Sequence, residues 1–231
     1  MIFPFYDSSF VILIPAIILS LWAQAKVSSA FKRYSRVRAS NGYTGAQIAR
    51  RLLDNNGLYD VPVEMAQGHL SDHYDPRTRV VRLSSDVYHG SSLAAVGVAA
   101  HETGHAVQHE EGYAPFNMRS AIVPVASFGS SIAPWLVIIG IFMGRAGGFL
   151  LDLGIIAFTA VVVFQLVTLP VELNASSRAM AFLENGYLAG DEARGTRKVL
   201  SAAAMTYVAA ALTAILTLVR FLVMANDRRN D

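Results

Sequence analysis

Apolar residues along this chain gather into four long runs, and the polar positions between them follow shorter rhythms. The first run, residues 10–23, reads FVILIPAIILSLWA, with Asp7 and Ser8 before it and Lys26 after it. Residues 121–144 and 147–170 form a second and a third run, split only by Arg145-Ala146-Gly147, and residues 199–225 form the last. With its flanks each approaches the roughly 20 residues that a bilayer-crossing helix needs, and the tight break predicts a membrane hairpin. Trp22 suits the interface at the end of the first span. A cleaved signal peptide would carry a basic segment ahead of its apolar core. This chain shows none there, so the first run reads as a retained anchor.

Residues 26–51 are rich in Lys and Arg, among them Lys32, Arg33, Arg36 and Arg38. Thr44 and Gln47 have the spacing of a capping box, so a helix should run from there to about Asn56 and stop at Gly57. Ile48, Leu52 and Leu53 give that helix one buried face. The pattern then changes to short extended pieces at residues 61–65, 70–74 and 79–83. Asp75-Pro76-Arg77-Thr78 joins the last two as a tight turn with proline at its second position. A buried helix follows. Ser91 or Ser92 can cap it, and the small apolar residues 93–100 suit close packing against neighbours.

Composition supports the membrane reading. Of 231 residues, 53% are hydrophobic and 16% are charged, a balance that favours a small bundle of spans. The net charge of +2 is too small to argue for a nucleic-acid partner, and none is expected. The absence of cysteine excludes a disulfide framework and a thiolate metal site. If residues 26–120 and 171–198 share one side of the membrane, that side holds 15 of the 19 Lys and Arg. This is the positive-inside asymmetry, and it assigns that side to the cytoplasm. Arg228 and Arg229 then lie outside with Asp227 and Asp231. Within the spans only Asp152 and Arg220 are charged, too few to line an ion path. Asp152 should reach the interface and Arg220 should snorkel outward.

The chemistry lies on the buried helix, where residues 99–107 read AAHETGHAV, an HExxH motif. On an α-helix His101 and His105 are about 40° apart and about 6 Å along the axis. Both imidazoles can therefore close on one tetrahedral metal, with Glu102 beside the open position. There Glu102 can serve as general base toward a metal-bound water in peptide hydrolysis. The alternative is a helix with two surface histidines, but so polar a motif after so apolar a lead-in is costly to bury without a metal. A third ligand is needed. All six histidines fall between His69 and His109. His109 lies another turn, about 6 Å, beyond His105, and no glycine turn folds the chain back. It is therefore expected around the site or on the surface. Glu172 follows the third run, on the side to which the membrane hairpin returns. It would complete a His2Glu set with water in the fourth position, or it only caps a helix start, where the dipole favours an acid. The hairpin ahead of the motif helix offers an edge strand to which a substrate backbone can add. His73 and Tyr74 are then candidate transition-state contacts, unless the hairpin merely covers the helix.

Three stretches, LSDHYDP, RLSSDVYHGSSLAAVGVAAHETGHAVQH and LPVELNASSRA, together resemble the YugP-type neutral zinc metallopeptidases of bacterial membranes. The resemblance runs over nearly the whole chain, from TGAQIARRLLDNNGL onward. It implies a gluzincin-like peptidase with one zinc ion, His101, His105 and Glu172 as ligands and Glu102 as base. The chain is also distantly similar to the HtpX-like membrane proteases, whose third-ligand helix carries an ExxxD pattern. Here Ser176 stands at the position of that acid, and Asn174 stands where the family pattern leads one to expect Asp. An acid on this helix usually orients a ligand histidine, so Asn174, Ser176 and His109 are expected around the ligands. Arg178 is a candidate for organising the site or binding substrate, or is a solvated helix arginine.

The expected architecture is mainly α, with polytopic membrane helices and a small α+β zincin-like zinc lobe at the cytoplasmic face of a bacterial plasma (inner) membrane. Residues 1–25 form the anchor, 26–120 the zinc lobe, 121–170 the transmembrane hairpin, 171–198 the helix with the third ligand, and 199–231 the last span and tail. The expected activity is that of a zinc metalloendopeptidase on membrane or membrane-adjacent polypeptides. Its partners are the lipid bilayer and a membrane-protein substrate, with room for a membrane-protein partner or a second copy of the chain. A zinc-binding membrane scaffold or regulatory module with little catalysis is the alternative.

Overall fold

The computed structural model describes residues 8–68 and 71–230. Asp7, His69, Leu70 and Asp231, each invoked by the sequence pattern, lie outside the described residues, as do the side chains of Arg145, Arg228 and Arg229. A 3-10 turn (Ser8–Leu13) leads into α1 (Ile14–Tyr34), then α2 (Gly45–Asn55) and strands β1 (Val63–Ala66), β2 (His73–Asp75) and β3 (Val80–Ser84). After these come α3 (Ser85–Tyr88), α4 (Leu93–Glu110), α5 (Ala114–Phe142), a 3-10 turn (Gly144–Gly147), α6 (Gly148–Glu184) and α7 (Gly190–Asn230). The fold is mainly helical with one small mixed sheet. Four helical stretches, Ser9–Tyr34, Ala114–Phe142, Gly148–Glu184 and Gly190–Asp227, are long and apolar enough to cross a membrane.

The chain folds as two compact units. The first comprises Met1–Trp22, Met118–Leu169 and Tyr207–Asp231. Its described part is helical, and Val137, Leu151, Phe221 and Ala225 form a small core within it. Phe128, Trp135, Phe149 and Ile156 are exposed, which suits side chains that face lipid rather than water. Pro124 and Pro134 lie inside α5, as membrane helices tolerate. Arg220 donates to Ser9 Oγ at 3.2 Å and covers the Phe10 ring at 5.5 Å, at the first residues of the candidate span Ser9–Tyr34. A hydrogen bond and an aromatic face compensate the guanidinium there.

The second unit comprises Ala23–Asn117 and Pro170–Thr206. The capping box at the start of α2 is formed: Gln47 N–H donates to Thr44 Oγ1 and Thr44 N–H donates to Gln47 Oε1. Ile48, Ala49, Leu52 and Leu53 make the buried face of α2, which packs on α4. The sheet has the order β1-β3-β2. β1 runs parallel to β3, from Val63 opposite Val81 to Ala66 opposite Ser84, and β2 runs antiparallel to it, with Tyr74 opposite Val81. β1 and β2 are shorter than the sequence pattern suggested, and β3 keeps five residues but is displaced by one. β3 starts after Arg79 because that residue takes φ 56° to close the turn, a conformation no strand continues.

One alternative for Glu172 is excluded. α6 passes through Pro170 without a break, so Glu172 lies well inside a 37-residue helix and caps no helix start. Proline costs a helix one hydrogen bond and disfavours helical geometry at the residue before it, which is why Pro170 suggested a boundary.

Candidate metal centre

Helix α4 begins at Ser92, whose Oγ accepts the N–H of Ala95. From Leu93 to Gln108 nearly every side chain is buried, so the helix is a central rod and not a surface amphipath. Two glycines let other helices approach it closely. A Cβ on Gly97 would come 2.8 Å from Thr196 Cγ2, and one on Gly104 would come 2.8 Å from the carbonyl oxygen of Ala175. Both distances are shorter than real contacts allow. Gly104, inside the HExxH motif, is thus what admits the backbone of α6, and α6 carries Glu172.

That approach brings three donors together. Ligand-type atoms of His101, His105 and Glu172 all lie within 4.8 Å of one another. Glu172 Oε2 is 3.2 Å from His101 Nε2 and 3.5 Å from His105 Nε2. The imidazoles meet edge to face, with centroids 4.7 Å apart and planes at 85°. The Glu172 side chain is 2% exposed and that of His101 15%, so the opening lies on the His101 side.

The Nδ1 atoms of the two imidazoles are held from behind. Ser176 Oγ lies 3.2 Å from His101 Nδ1. Gln108, fully buried, sets its Oε1 3.0 Å from His105 Nδ1. Its Nε2 donates to the Val171 carbonyl at 2.9 Å and to Asn174 Oδ1 at 2.8 Å. Both of those partners are acceptors, which fixes the amide orientation: an oxygen faces His105, so Nδ1 carries the hydrogen and Nε2 is left as a lone pair. Asn174 Oδ1 also accepts from Arg178 Nε at 2.7 Å, and Arg178 Nη2 donates to Glu111 Oε2 at 2.7 Å. That contact holds the Glu111 carboxyl below its usual range. Sequence reasoning missed Gln108. Its signal was position, three residues after His105 and therefore on the same helix face.

Glu102 lies beside the cluster and accepts the Tyr74 N–H at 3.0 Å. Burial pushes its carboxyl up to about 7, with His101 opposing and Glu172 and Asp72 reinforcing the rise. Tyr74 N–H thus points away from β3 and is spent on Glu102, so the edge of β2 is partly occupied. Asp72 anchors the start of β2 by accepting the Ser84 N–H and O–H at 2.7 and 3.0 Å. The Tyr74 hydroxyl is 2.8 Å from His109 Nδ1, and burial pushes the phenol up to about 12. Phe116, which sequence reasoning also missed, stacks among Tyr74, His105 and His109 with centroids 5.6–6.4 Å away. His109 is therefore outside the donor cluster. His73 is exposed, and its Nδ1 lies 2.7 Å from the Ser71 carbonyl.

Comparison with known proteins adds an independent finding. The family described as "Putative neutral zinc metallopeptidase" matches residues 9–226. The chain is 53% identical over 219 residues to "Putative membrane protease YugP" of Bacillus subtilis (strain 168), covering 94% of this chain and 96% of that protein. No solved structure matches the chain.

Proposed function

The chain belongs to this family of neutral zinc metallopeptidases, and from that premise we propose that it is a membrane zinc endopeptidase with one zinc ion on His101, His105 and Glu172 and with Glu102 as general base. The observation that carries the reading is the donor cluster. Its two histidine–carboxylate distances, 3.2 and 3.5 Å, match the edges of about 3.3 Å of a tetrahedron with bonds of about 2.0–2.1 Å. The chemistry of the donors agrees. With Gln108 holding its Nδ1–H, His105 turns a lone pair on the Glu172 carboxylate, and a cation between the two reconciles them.

Zinc bound there supplies a Lewis acid that polarises a peptide carbonyl and makes water nucleophilic near neutral pH. The protein does the rest. Gln108 and Ser176 hold the imidazoles with Nε2 toward the centre. Glu102, oriented by the Tyr74 N–H, takes the proton of the attacking water and returns it to the leaving amine. Burial raises this carboxyl in the metal-free chain, the direction that makes it a stronger base toward water. Asn174 and Arg178 act through Gln108, and Arg178 is tied to Glu111 rather than presented to substrate. His109 and Tyr74 brace the Glu102 side of the site.

The proposed substrates are membrane or membrane-adjacent polypeptides, since the relative is described as a membrane protease and four helices can span. The proposed location is a bacterial plasma membrane with the metal on the cytoplasmic side, supported by the 15 of 19 basic residues assigned there. The test is cleavage of unfolded and membrane-protein substrates by the purified chain, with zinc measured in parallel. Glu102→Gln is expected to keep zinc and lose activity by about 10²–10⁴-fold, and Glu172→Ala to lose zinc. Unaltered cleavage in the first variant refutes the base assignment, and zinc binding without any cleavage by the unmodified chain favours the scaffold. Unaltered zinc in the second refutes the ligand set.

A further inference from the structure

The C-terminal end of α1 opens onto a cavity of about 440 Å³ that shares no residue with the donor cluster, lined among others by Phe31, Arg36, Arg38, Asp86, Ser91 and Ser92. We propose that this cavity binds the anionic phosphate headgroup of a membrane lipid.

Its polar lining is a set of donors. Arg36 is exposed, and its guanidinium makes no hydrogen bond or ion pair among the described residues. Arg38 is exposed and uses Nε on Ser91 Oγ at 3.2 Å, which leaves its terminal N–H groups directed elsewhere. Ser91 Oγ accepts that bond and Ser92 Oγ accepts the Ala95 N–H, so each hydroxyl spends a lone pair inward and keeps its own hydrogen to donate. Two guanidinium groups and two hydroxyls match a phosphate, which is all acceptor. Against them stands one acid on the lining, Asp86.

Position supplies the second argument, because α1 closes the candidate span Ser9–Tyr34. Phe31 comes from its last turn, and Ser35, Arg36 and Arg38 follow within four residues of its end. The apolar run of that helix ends at Ala23 with Trp22 at the interface, and Phe31 follows about 12 Å further along the axis, so the cavity is juxtamembrane, with Phe31 as its apolar wall. The surrounding chain is cationic: residues 24–53 hold seven Lys and Arg and no acid. Basic pockets at the end of a span capture anionic headgroups, whereas a zwitterionic headgroup gains little from them. The volume also lies within the roughly 300–1,000 Å³ of small-molecule sites.

The experiment uses the full chain purified in detergent and follows its melting midpoint during titration with dioctanoyl phosphatidylglycerol, dioctanoyl phosphatidylcholine or inorganic phosphate. The glycerol lipid should raise the midpoint saturably, and the choline lipid should not. Arg36→Gln and Arg38→Gln should each weaken the apparent Kd for the glycerol lipid about fivefold. Asp86→Asn should tighten it, a gain that damage to the fold cannot mimic. Arg194→Gln, the same change of charge on an arginine paired elsewhere with Asp191, should leave it unchanged. Equal shifts with both lipids, or a response to the glycerol lipid that survives loss of both cavity arginines, overturn the site. An equal loss in Arg194→Gln reduces it to general surface charge and also overturns it. If inorganic phosphate saturates the site and displaces the lipid, the site takes free phosphate and the lipid assignment falls.

Discussion

Replacing Gln108 by Leu isolates the link between the two ligand helices. Gln108 is fully buried and makes three hydrogen bonds, to His105 Nδ1, the Val171 carbonyl and Asn174 Oδ1. Leucine keeps most of the volume and removes all three. Two of the partners have other bonds: Asn174 keeps Arg178 at 2.7 Å, and the Val171 carbonyl sits inside α6 with its helical partner. The lasting loss is therefore the buried Nδ1–H of His105. Orphaning one buried donor costs about 1–3 kcal/mol, or about 5- to 150-fold at about 1.4 kcal/mol per factor of ten. Removing a partner behind a ligand histidine typically weakens metal affinity about 10–100-fold, so two separate estimates overlap. The assay is competition for zinc with a chromophoric chelator, alongside the melting midpoint of the zinc-free protein to show that it is folded. Affinity within about twofold of the unmodified chain, in a folded variant, would refute the positioning argument. Gln108→Glu sharpens the test. It keeps an acceptor for His105 but turns its other oxygen on two acceptors, so its zinc-free form should melt below that of Gln108→Leu.

Four further outcomes follow from the same geometry. Gly104→Ala should cost about 1–3 kcal/mol of stability and lower zinc content, because its Cβ would meet the Ala175 carbonyl at 2.8 Å; a thermal melt and metal analysis decide it. Asn174→Asp should retain zinc, since the residue acts only as an acceptor for Gln108 and Arg178; loss of metal would mean that the neutral amide is required. His109→Phe should keep full zinc content while losing the Tyr74 hydroxyl bond, about 1 kcal/mol, and a fall in zinc would restore His109 as a ligand. Asp75 is held at about 2, first by the Thr78 hydroxyl and the Arg77 N–H. A depressed carboxyl stabilises the folded chain above its ordinary value of 3.8 and loses that contribution as pH falls toward 2. The melting-point gap between the unmodified chain and Asp75→Asn should therefore be full at pH 6 and shrink by pH 3; a gap that does not change with pH refutes the assignment.

How much of this could be read beforehand depends on how local each signal is. The spans, the capping box at Thr44 and Gln47, and the cap at Ser92 are written in residues a few positions apart, and they form where expected. The meeting of Glu172 with the two histidines was also accessible, because a membrane hairpin has few ways to return its chain. The parallel pairing of β1 with β3 was not, since it joins residues across the intervening β2. Nor was the role of Gly104, which looks like any small residue until α6 is laid against it. Pro170 misled for a physical reason. In water it marks a helix end, but in an apolar span the chain has no better place for its backbone polar groups than to stay helical. Asn174 and Ser176, which looked like missing acids, have neutral neighbours to work with: Gln108 and the hydroxyl itself stand behind the imidazoles.

The distance along the chain between His101 and Glu172, 71 residues, has a consequence in time. A ribosome adding about 5–20 residues per second makes His101 about 4–14 seconds before it makes Glu172. During that interval the chain carries two histidines and no carboxylate to close the set, while the hairpin of α5 and α6 is still being delivered to the bilayer. A nascent molecule is therefore a weak competitor for metal. The donor set becomes complete only when α6, one of the four helices long and apolar enough to cross a membrane, has been made.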